Sequence, residues 1–150
     1  MPQSLACLHA HIIFSTKNRE AVLSESLRAE LDAYMTTVLQ NLDCHPVIIK
    51  SVADHIHVLA GLARTISMSD TVKDIKTATS RWIKGREPKL NGFAWQSGYA
   101  AFAVSVSNIE GVRQYIANQE EHHKSRTFQE EYRAFLEKHH VPYEEKYVWD

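Results

Sequence analysis

The sequence predicts one α+β domain whose elements follow the order β-α-β-β-α-β, with further helices after the last strand. Three observations predict this fold. Four apolar runs have the length of strands, two amphipathic segments separate them, and a join of two residues, Ala53-Asp54, connects the second run to the third. With 150 residues, the chain is long enough to bury one sizeable core.

The first half of the chain predicts a strand, a helix and a hairpin. Residues 8–14 form the first strand, and Ser24 is placed to cap a helix whose apolar side chains recur at helical spacing up to residue 42. The second strand follows Pro46, and the third covers residues 55–62. Their short join predicts an antiparallel pair.

The second half predicts another helix and the fourth strand. Ser67 and Asp70 have the spacing of a capping box, and the helix that they open extends to Gly85. Residues 99–106 then form the fourth strand. This is the split βαβ, ferredoxin-like or RRM-like arrangement, with helices on one face of an antiparallel sheet and the other face free to bind.

Two further helical segments follow the fourth strand. Ser107 and Glu110 form a second capping box, which opens a helix over residues 109–123. An amphipathic segment at 128–139 leads to an aromatic tail. We therefore expect one domain over residues 1–150, with a βαββαβ core at 1–106, a helix that contains Tyr115 at 107–123, and a C-terminal helix and tail at 124–150.

The composition is that of an ordinary globular protein, with 44% hydrophobic and 23% charged residues. No apolar run approaches the roughly 18 residues that cross a bilayer. The first residues lack the features of a signal peptide. Cys7 and Cys44 form no C-x-x-C motif. We expect a cytoplasmic protein without a membrane segment.

The charge is unevenly distributed although the formal net charge is only −1. Residues 73–89 contain six basic side chains against two acidic ones, whereas residues 120–150 contain eight acidic against five basic. A local basic patch can bind phosphates whatever the global charge. The alternative is the solvated face of a helix.

The stretch His55-Ile56-His57-Val58-Leu59 predicts a candidate metal site. Alternate side chains of a strand point to one face, so His55 and His57 project together while Ile56 and Val58 face the other way. Two imidazoles on an open sheet face suit a divalent metal ion. The alternative is the polar face of a half-buried strand.

Tyr115 and Gln119 lie four residues apart on the predicted helix and therefore share a face. A tyrosine can be a covalent nucleophile, but a phenol with a pKa of about 10 is weak while protonated. A metal ion on the histidines could polarise the phosphate that it attacks, with the Gln119 amide oxygen as third protein ligand. The alternative is that Tyr115 only packs.

Other histidines are less specific. His122 follows Gln119 by three residues, so it is a further candidate ligand, with packing or DNA contact as the alternative. His9 and His11 share a strand face, but nothing in the sequence ties them to a ligand set.

A His-hydrophobic-His strand followed by a Tyr-x-x-x-Gln helix, in an RRM-like order, resembles the HUH endonuclease superfamily. Within it, the chain is similar to the single-tyrosine transposases of small bacterial insertion sequences that move as single-stranded DNA. The resemblance spans nearly the whole chain and is carried by the segments HIIFSTKNR at 11–19, DHIHVL at 54–59, WQSGY at 95–99 and YIANQEEHH at 115–123.

The resemblance implies a metal-dependent DNA transposase. His55, His57 and Gln119 would bind Mg²⁺ or Mn²⁺, and Tyr115 would attack a phosphate of single-stranded DNA. The products are a 5′-phosphotyrosine and a free 3′-OH, and another 3′-OH rejoins the strand.

The resemblance also implies a homodimer that recognises DNA hairpins near the element ends. Our candidates for contact with this DNA are basic side chains that follow the first strand or lie on the second helix. They are Lys17, Arg19, Lys73, Lys76, Arg81 and Lys84.

Two alternatives remain open. One keeps the enzyme but changes its biology, as a domesticated repeat-associated tyrosine transposase or a replication-type nicking enzyme. The other is a non-catalytic RRM-like nucleic-acid binder. Such binders usually carry two aromatic side chains on the central strands, where this chain has histidines.

Overall fold

The computed structural model describes residues 2–150. Four strands form one sheet: β1 (His9–Ser15), β2 (His45–Ser51), β3 (His55–Gly61) and β4 (Ala100–Val104). Five helices accompany it: α1 (Glu25–Asn41), α2 (Met68–Arg86), α3 (Ile109–Ala117), α4 (Gln119–His122) and α5 (Phe128–Lys138). Within residues 2–150, none of the helices combines the length and the apolar character that crossing a membrane requires.

The sheet has the strand order β2-β3-β1-β4, and every neighbouring pair is antiparallel. The predicted βαββαβ order and the α+β fold class are confirmed, and β2 and β3 form the predicted hairpin. The register places Ile13 of β1 opposite His57, and Ser15 opposite His55. The histidines of β3 therefore lie in the middle of the sheet, next to its other central strand.

One sheet face packs against α1 and α2. Alternate side chains of β1 and β3 point to this face, and apolar residues of both helices cover them, so that Ile12, Phe14, Ile56, Leu31 and Ile75 are fully buried. Burying one such side chain stabilises the fold by roughly 1.5–3 kcal/mol. This layer is the main hydrophobic core.

The opposite sheet face is not free, contrary to the expectation from the sequence. Ile13 and Phe102 point to this face, and α5 covers them with its apolar stripe of Phe128, Tyr132 and Leu136. The apolar side chains that β1 and β4 place here need a partner layer, and the C-terminal helix supplies it.

The helix ends agree only partly with the predicted capping boxes. Ser67 Oγ accepts a hydrogen bond from the Asp70 amide at 3.0 Å, as predicted. The Ser107 box is wrong, because residues 106–108 form a 3₁₀ turn and α3 begins after Asn108 without a side-chain cap. The helix predicted over 109–123 is interrupted at Asn118, whose φ of −100° and ψ of 23° separate α3 from α4.

A carboxyl group joins α1 to the end of β2. Asp32 accepts hydrogen bonds from the Ser51 amide at 3.2 Å and from the Ser51 hydroxyl at 2.7 Å. Burial raises the pKa of Asp32 to about 6, although both hydrogen bonds act in the opposite direction. The folded protein therefore binds this proton more tightly than the unfolded chain does.

This shift predicts a pH-dependent effect of Asp32→Asn. With the folded pKa above the unfolded one, the wild-type free energy of unfolding loses the contribution of this group as the pH rises from about 3.8 to about 6. The neutral Asn variant avoids that loss and should gain up to about 3 kcal/mol over wild type, since one pKa unit corresponds to about 1.4 kcal/mol. Urea unfolding at pH 4 and pH 7 measures the gain.

Asp74→Asn is the matched control, because Asp74 is exposed on α2. Its difference from wild type should be similar at both pH values. A difference between Asp32→Asn and wild type that does not change between pH 4 and pH 7 would contradict the prediction.

Candidate metal centre and its tyrosine

β3 holds the two predicted histidines side by side. The rings of His55 and His57 lie 5.3 Å apart on the sheet face that α5 covers, while Ile56 and Val58 point into the main core. Both histidines have no exposed surface. The predicted shared face is thus confirmed, but the pair lies in the interior.

Glu131 of α5 lies against both imidazoles and was not predicted. Its Oε1 atom is 3.0 Å from Nε2 of His57 and 3.6 Å from Nε2 of His55, and the carboxylate is fully buried. A buried carboxylate is costly unless it is paired and hydrogen-bonded. Glu131 meets this requirement through the histidines.

Gln119 and His123 complete the surroundings of Glu131. Gln119 Nε2 donates to Glu131 Oε2 at 3.2 Å, and Gln119 Oε1 lies 3.4 Å from His55 Nε2. His123 Nε2 lies 3.0 Å from Gln119 Oε1 and 3.2 Å from Glu131 Oε1. The predicted amide is therefore at the histidine pair, and a third imidazole accompanies it.

Tyr115 reaches the same group from α3. Its hydroxyl donates a hydrogen bond to Glu131 Oε2, and its ring lies 6.2 Å from the ring of His57. The ring stacks on His122 at 4.4 Å, so His122 packs on the tyrosine and His123 faces the histidine pair. One chain brings all four predicted residues together.

The charges of the site balance around Glu131. Burial alone would raise the pKa of this carboxyl, but hydrogen bonds from His123, His55 and His57 lower it far below its usual range. Burial acts against a charged His55, yet Asp54 and Glu131 raise its pKa. The carboxylates beside His55 and the imidazoles beside Glu131 thus favour the charged form of each partner.

Burial lowers the pKa values of His57 and His11. Burial lowers the pKa of His57 to about 4, and hydrogen bonding to Glu131 only partly offsets this. Burial and the neighbouring His57 lower the pKa of His11 to about 2. Burial and Glu131 raise the pKa of Tyr115, so its phenol keeps its proton.

Four side chains of this site are arranged as metal ligands are. One donor atom from each of His55, His57, His123 and Glu131 lies within 4.8 Å of the others. Imidazole nitrogens with a carboxylate oxygen are a common donor set for divalent transition metals. The residues fit a metal ion, and Glu131 and His123 are donors besides the predicted Gln119.

The predicted DNA-contact residues differ in their surroundings. Lys17, Lys73, Arg81 and Lys84 are exposed, and Arg81 and Lys84 line a groove between α2 and residues 93–97. Arg19 is partly covered because its guanidinium lies 5.6 Å from the ring of Trp149.

Lys76 is used within the fold. Its ammonium donates to the carbonyl oxygens of Gln96, Ser97 and Gly98 at 2.8, 3.2 and 2.7 Å. An ammonium has three donors, and all three are occupied. We therefore remove Lys76 from the candidate DNA contacts.

Sequence reasoning missed Glu131 and His123 for different reasons. Glu131 lies within the apolar stripe of α5, between Phe128 and Tyr132, and an acid at such a position is the signal that could have found it. His123 lies four residues after Gln119, which is the spacing of one helix face.

Comparisons with known proteins identify the family of this chain. A family model described as transposase, IS200-like, matches residues 4–119. The ISDra2 transposase TnpA of Deinococcus radiodurans is 24% identical over 117 residues, which cover 75% of this chain and 84% of that protein.

Two solved structures have the same fold. A protein of Deinococcus radiodurans R1 assigned as a transposase superposes with a TM-score of 0.65 at 26% identity, covering 79% of this chain and 98% of that one. A REP-associated tyrosine transposase bound to a REP hairpin superposes with a TM-score of 0.60 at 15% identity, covering 82% and 74%, and at this identity the likeness shows the fold alone.

The match at residues 4–119 includes His55, His57, Tyr115 and Gln119, the residues that the structure brings to one point. A family model that covers most of the chain, together with this arrangement, establishes that the chain belongs to the IS200-like transposases, as an HUH single-tyrosine transposase.

Proposed function

We propose that this transposase cleaves and rejoins single-stranded DNA through a covalent bond between Tyr115 and a 5′ phosphate. One observation carries the proposal. The Tyr115 hydroxyl and Nε2 of His57 contact the same anion, the Glu131 carboxylate, and Nε2 of His55 lies 3.6 Å from it. Groups that surround a carboxylate in this way can also surround the oxygens of a phosphate.

We assign Mg²⁺ or Mn²⁺ to the histidine pair. His55 and His57 would hold the ion with oxygen atoms of Gln119 or Glu131, and His123 is a further nitrogen donor. When bound, such an ion withdraws charge from the scissile phosphate as a Lewis acid. Mixed nitrogen and oxygen ligands favour Mn²⁺ over Mg²⁺, which prefers oxygen ligands.

The chain's own residues carry the bond exchange. Tyr115 Oη forms a bond to phosphorus while the bond from phosphorus to the 3′ oxygen breaks, and the 3′ oxygen takes a proton from solvent. The phenolic proton passes to solvent water. Rejoining reverses these steps: a 3′-OH attacks phosphorus, and Tyr115 regains its proton. The ester energy is kept, so no nucleotide cofactor is needed.

DNA reaches Tyr115 from the side that is open to solvent. Tyr115 is half-buried and lines a cleft of about 430 Å³ together with Arg126, Phe135 and Lys138. Two cationic side chains at this cleft favour a phosphate backbone. Because His55 and His57 are fully buried, a phosphate contacts them only after Glu131 has moved aside.

Hairpin recognition is the second part of the proposal. The REP-associated tyrosine transposase that shares this fold was solved with a REP hairpin bound. On this chain, Lys17, Lys73, Arg81 and Lys84 are the exposed basic side chains that we assign to hairpin phosphates. We still expect a homodimer, which would hold two element ends. One chain alone contains both histidines, the glutamine and the tyrosine of the site.

Tyr115→Phe should abolish the covalent protein–DNA adduct. The substitution removes only the hydroxyl that attacks phosphorus, so the adduct should fall below detection while the fold persists. The assay incubates the protein with Mn²⁺ and labelled single-stranded DNA taken from the flanks of its gene, and resolves adducts on a denaturing gel.

Tyr147→Phe is the control, because Tyr147 is exposed and far along the tail. An adduct that persists in Tyr115→Phe would rule out this nucleophile. Absence of an adduct with wild type would favour the non-catalytic nucleic-acid binder.

His57→Ala should abolish both cleavage and Mn²⁺ binding while hairpin binding stays within about threefold of wild type. The imidazole is assigned to the ion and lies away from the exposed basic surface. Calorimetric titration measures Mn²⁺ binding, and the adduct assay measures cleavage. Gel shift in EDTA measures hairpin binding. Glu131→Gln, which removes the charge of a candidate ligand, should weaken Mn²⁺ binding by at least about 10-fold, the lower end of the effect of losing a partner around a metal site.

His45→Ala is the matched control, because His45 is an exposed histidine at the start of β2. It should bind Mn²⁺ as wild type does. Cleavage retained in His57→Ala would contradict the assigned metal role.

Arg81→Ala and Lys84→Ala should each weaken hairpin binding and reduce its dependence on salt. Every lost phosphate contact lowers the slope of log Kd against log salt concentration by about 1. Fluorescence anisotropy of a labelled hairpin at several salt concentrations measures the slope. Lys76→Met should instead lower the melting temperature and leave the slope unchanged, because Lys76 holds residues 96–98. Unchanged slopes in both Ala variants would remove this surface from the proposal.

A further inference from the structure

A third histidine lies directly behind the metal pair. Nε2 of His11 in β1 is 2.7 Å from Nδ1 of His57, the ring nitrogen that faces away from Glu131. His11 is 1% exposed, and its ring packs edge-on against Phe135 at 5.0 Å. In the register of β1 and β3, His11 is opposite Leu59 and is therefore a diagonal neighbour of His57.

The second metal histidine has an equivalent partner. Nδ1 of His55 is 2.7 Å from Oδ1 of Asp54, so its Nε2 also faces Glu131. A metal-binding histidine usually donates its other ring N–H to such a partner, which fixes the tautomer and the ring orientation. The two histidines thus have different partners, a carboxylate behind His55 and a neutral imidazole behind His57.

Coordination chemistry requires an acceptor behind His57. A neutral imidazole that offers Nε2 to a cation carries its proton on Nδ1, and a buried N–H needs a hydrogen-bond acceptor. The His11 Nε2 atom is at hydrogen-bond distance from Nδ1.

The metal-free arrangement requires the reverse. With Glu131 ionised, His57 donates from Nε2, and its Nδ1 then accepts a hydrogen bond from the His11 Nε2–H. An imidazole can serve in both arrangements because it can either donate or accept. Aliphatic and ammonium side chains cannot.

We propose that His11 is a positioning residue, which accepts the Nδ1–H of His57 and so directs the Nε2 lone pair of His57 toward a divalent cation. The inference rests on the proposed metal role of His57. It does not depend on where α5 lies, because both residues belong to neighbouring strands of the same sheet.

The test compares His11→Met with His11→Gln. The two side chains have nearly the same size, but only Gln presents an oxygen acceptor near the position of Nε2. Mn²⁺ affinity is measured by calorimetry and by electron paramagnetic resonance of the free ion, without DNA. His11→Met should weaken binding about 10- to 100-fold, the usual effect of losing such a partner, and His11→Gln should stay within about threefold of wild type.

The NMR signal of the His57 ring N–H distinguishes this hydrogen-bonding role of His11 from a role in packing alone. With Mg²⁺ bound, ¹⁵N-labelled wild type should show a protected Nδ1–H resonance of His57, kept in His11→Gln and lost in His11→Met. Urea unfolding of each variant verifies the fold. If His11→Met unfolds the protein, the wild-type resonance decides alone: protonation of His57 at Nδ1 supports the proposal, and its absence overturns it.

The outcomes separate the two proposals. Equal Mn²⁺ affinity of folded His11→Met and wild type overturns the role of His11 and leaves the metal role of His57 intact. Wild type that binds no Mn²⁺, or His57→Ala that binds it normally, overturns the metal role and the role of His11 with it.

Discussion

The arrangement of the site depends on one buried carboxylate. Glu131 has no exposed surface, and it is surrounded by three imidazoles, an amide and a phenol. An ionised carboxylate in the interior is tolerated only when hydrogen bonds and opposite charge replace its water. The position of α5, which provides Glu131, is therefore fixed by polar contacts at its centre and by its apolar stripe on either side. Tyr115 of α3 and Gln119 of α4 both contact this carboxylate. The two helices are separated at Asn118, yet both side chains point toward the sheet.

The sequence predicted the scaffold and most of the site because the governing patterns are local. The period of two in β3 places His55 and His57 on one face, and the spacing of four places Tyr115 near Gln119, whatever the rest of the chain does. Glu131 could not be found in the same way. Its role depends on the docking of α5 across the sheet, a contact with residues more than 70 positions away in the chain.

Two other differences have local causes. His122 and His123 both follow Gln119 at helical spacing, and the structure places His123 against His55 and His122 against Tyr115. The basic run of residues 73–89 predicts one surface, yet Lys76 turns to three backbone carbonyls that the sequence does not reveal. Lys73, Arg81 and Lys84 are exposed, as expected of a basic surface. Composition therefore located the basic patch but could not distinguish a structural lysine from a DNA-binding one.

The division of the site along the chain has an electrostatic consequence. The part that matches the IS200-like family ends at residue 119 and holds the two histidines, the tyrosine and the amide, whereas His123 and Glu131 follow it. Glu131 places a negative charge where the proposed reaction brings a second anion, the DNA phosphate. Two anions this close repel each other strongly in a medium of low dielectric constant. A divalent cation held by the histidines would offset this repulsion. In the proposed reaction, the buried carboxylate would therefore strengthen the requirement for a metal ion beyond that of the histidine pair and Gln119 alone.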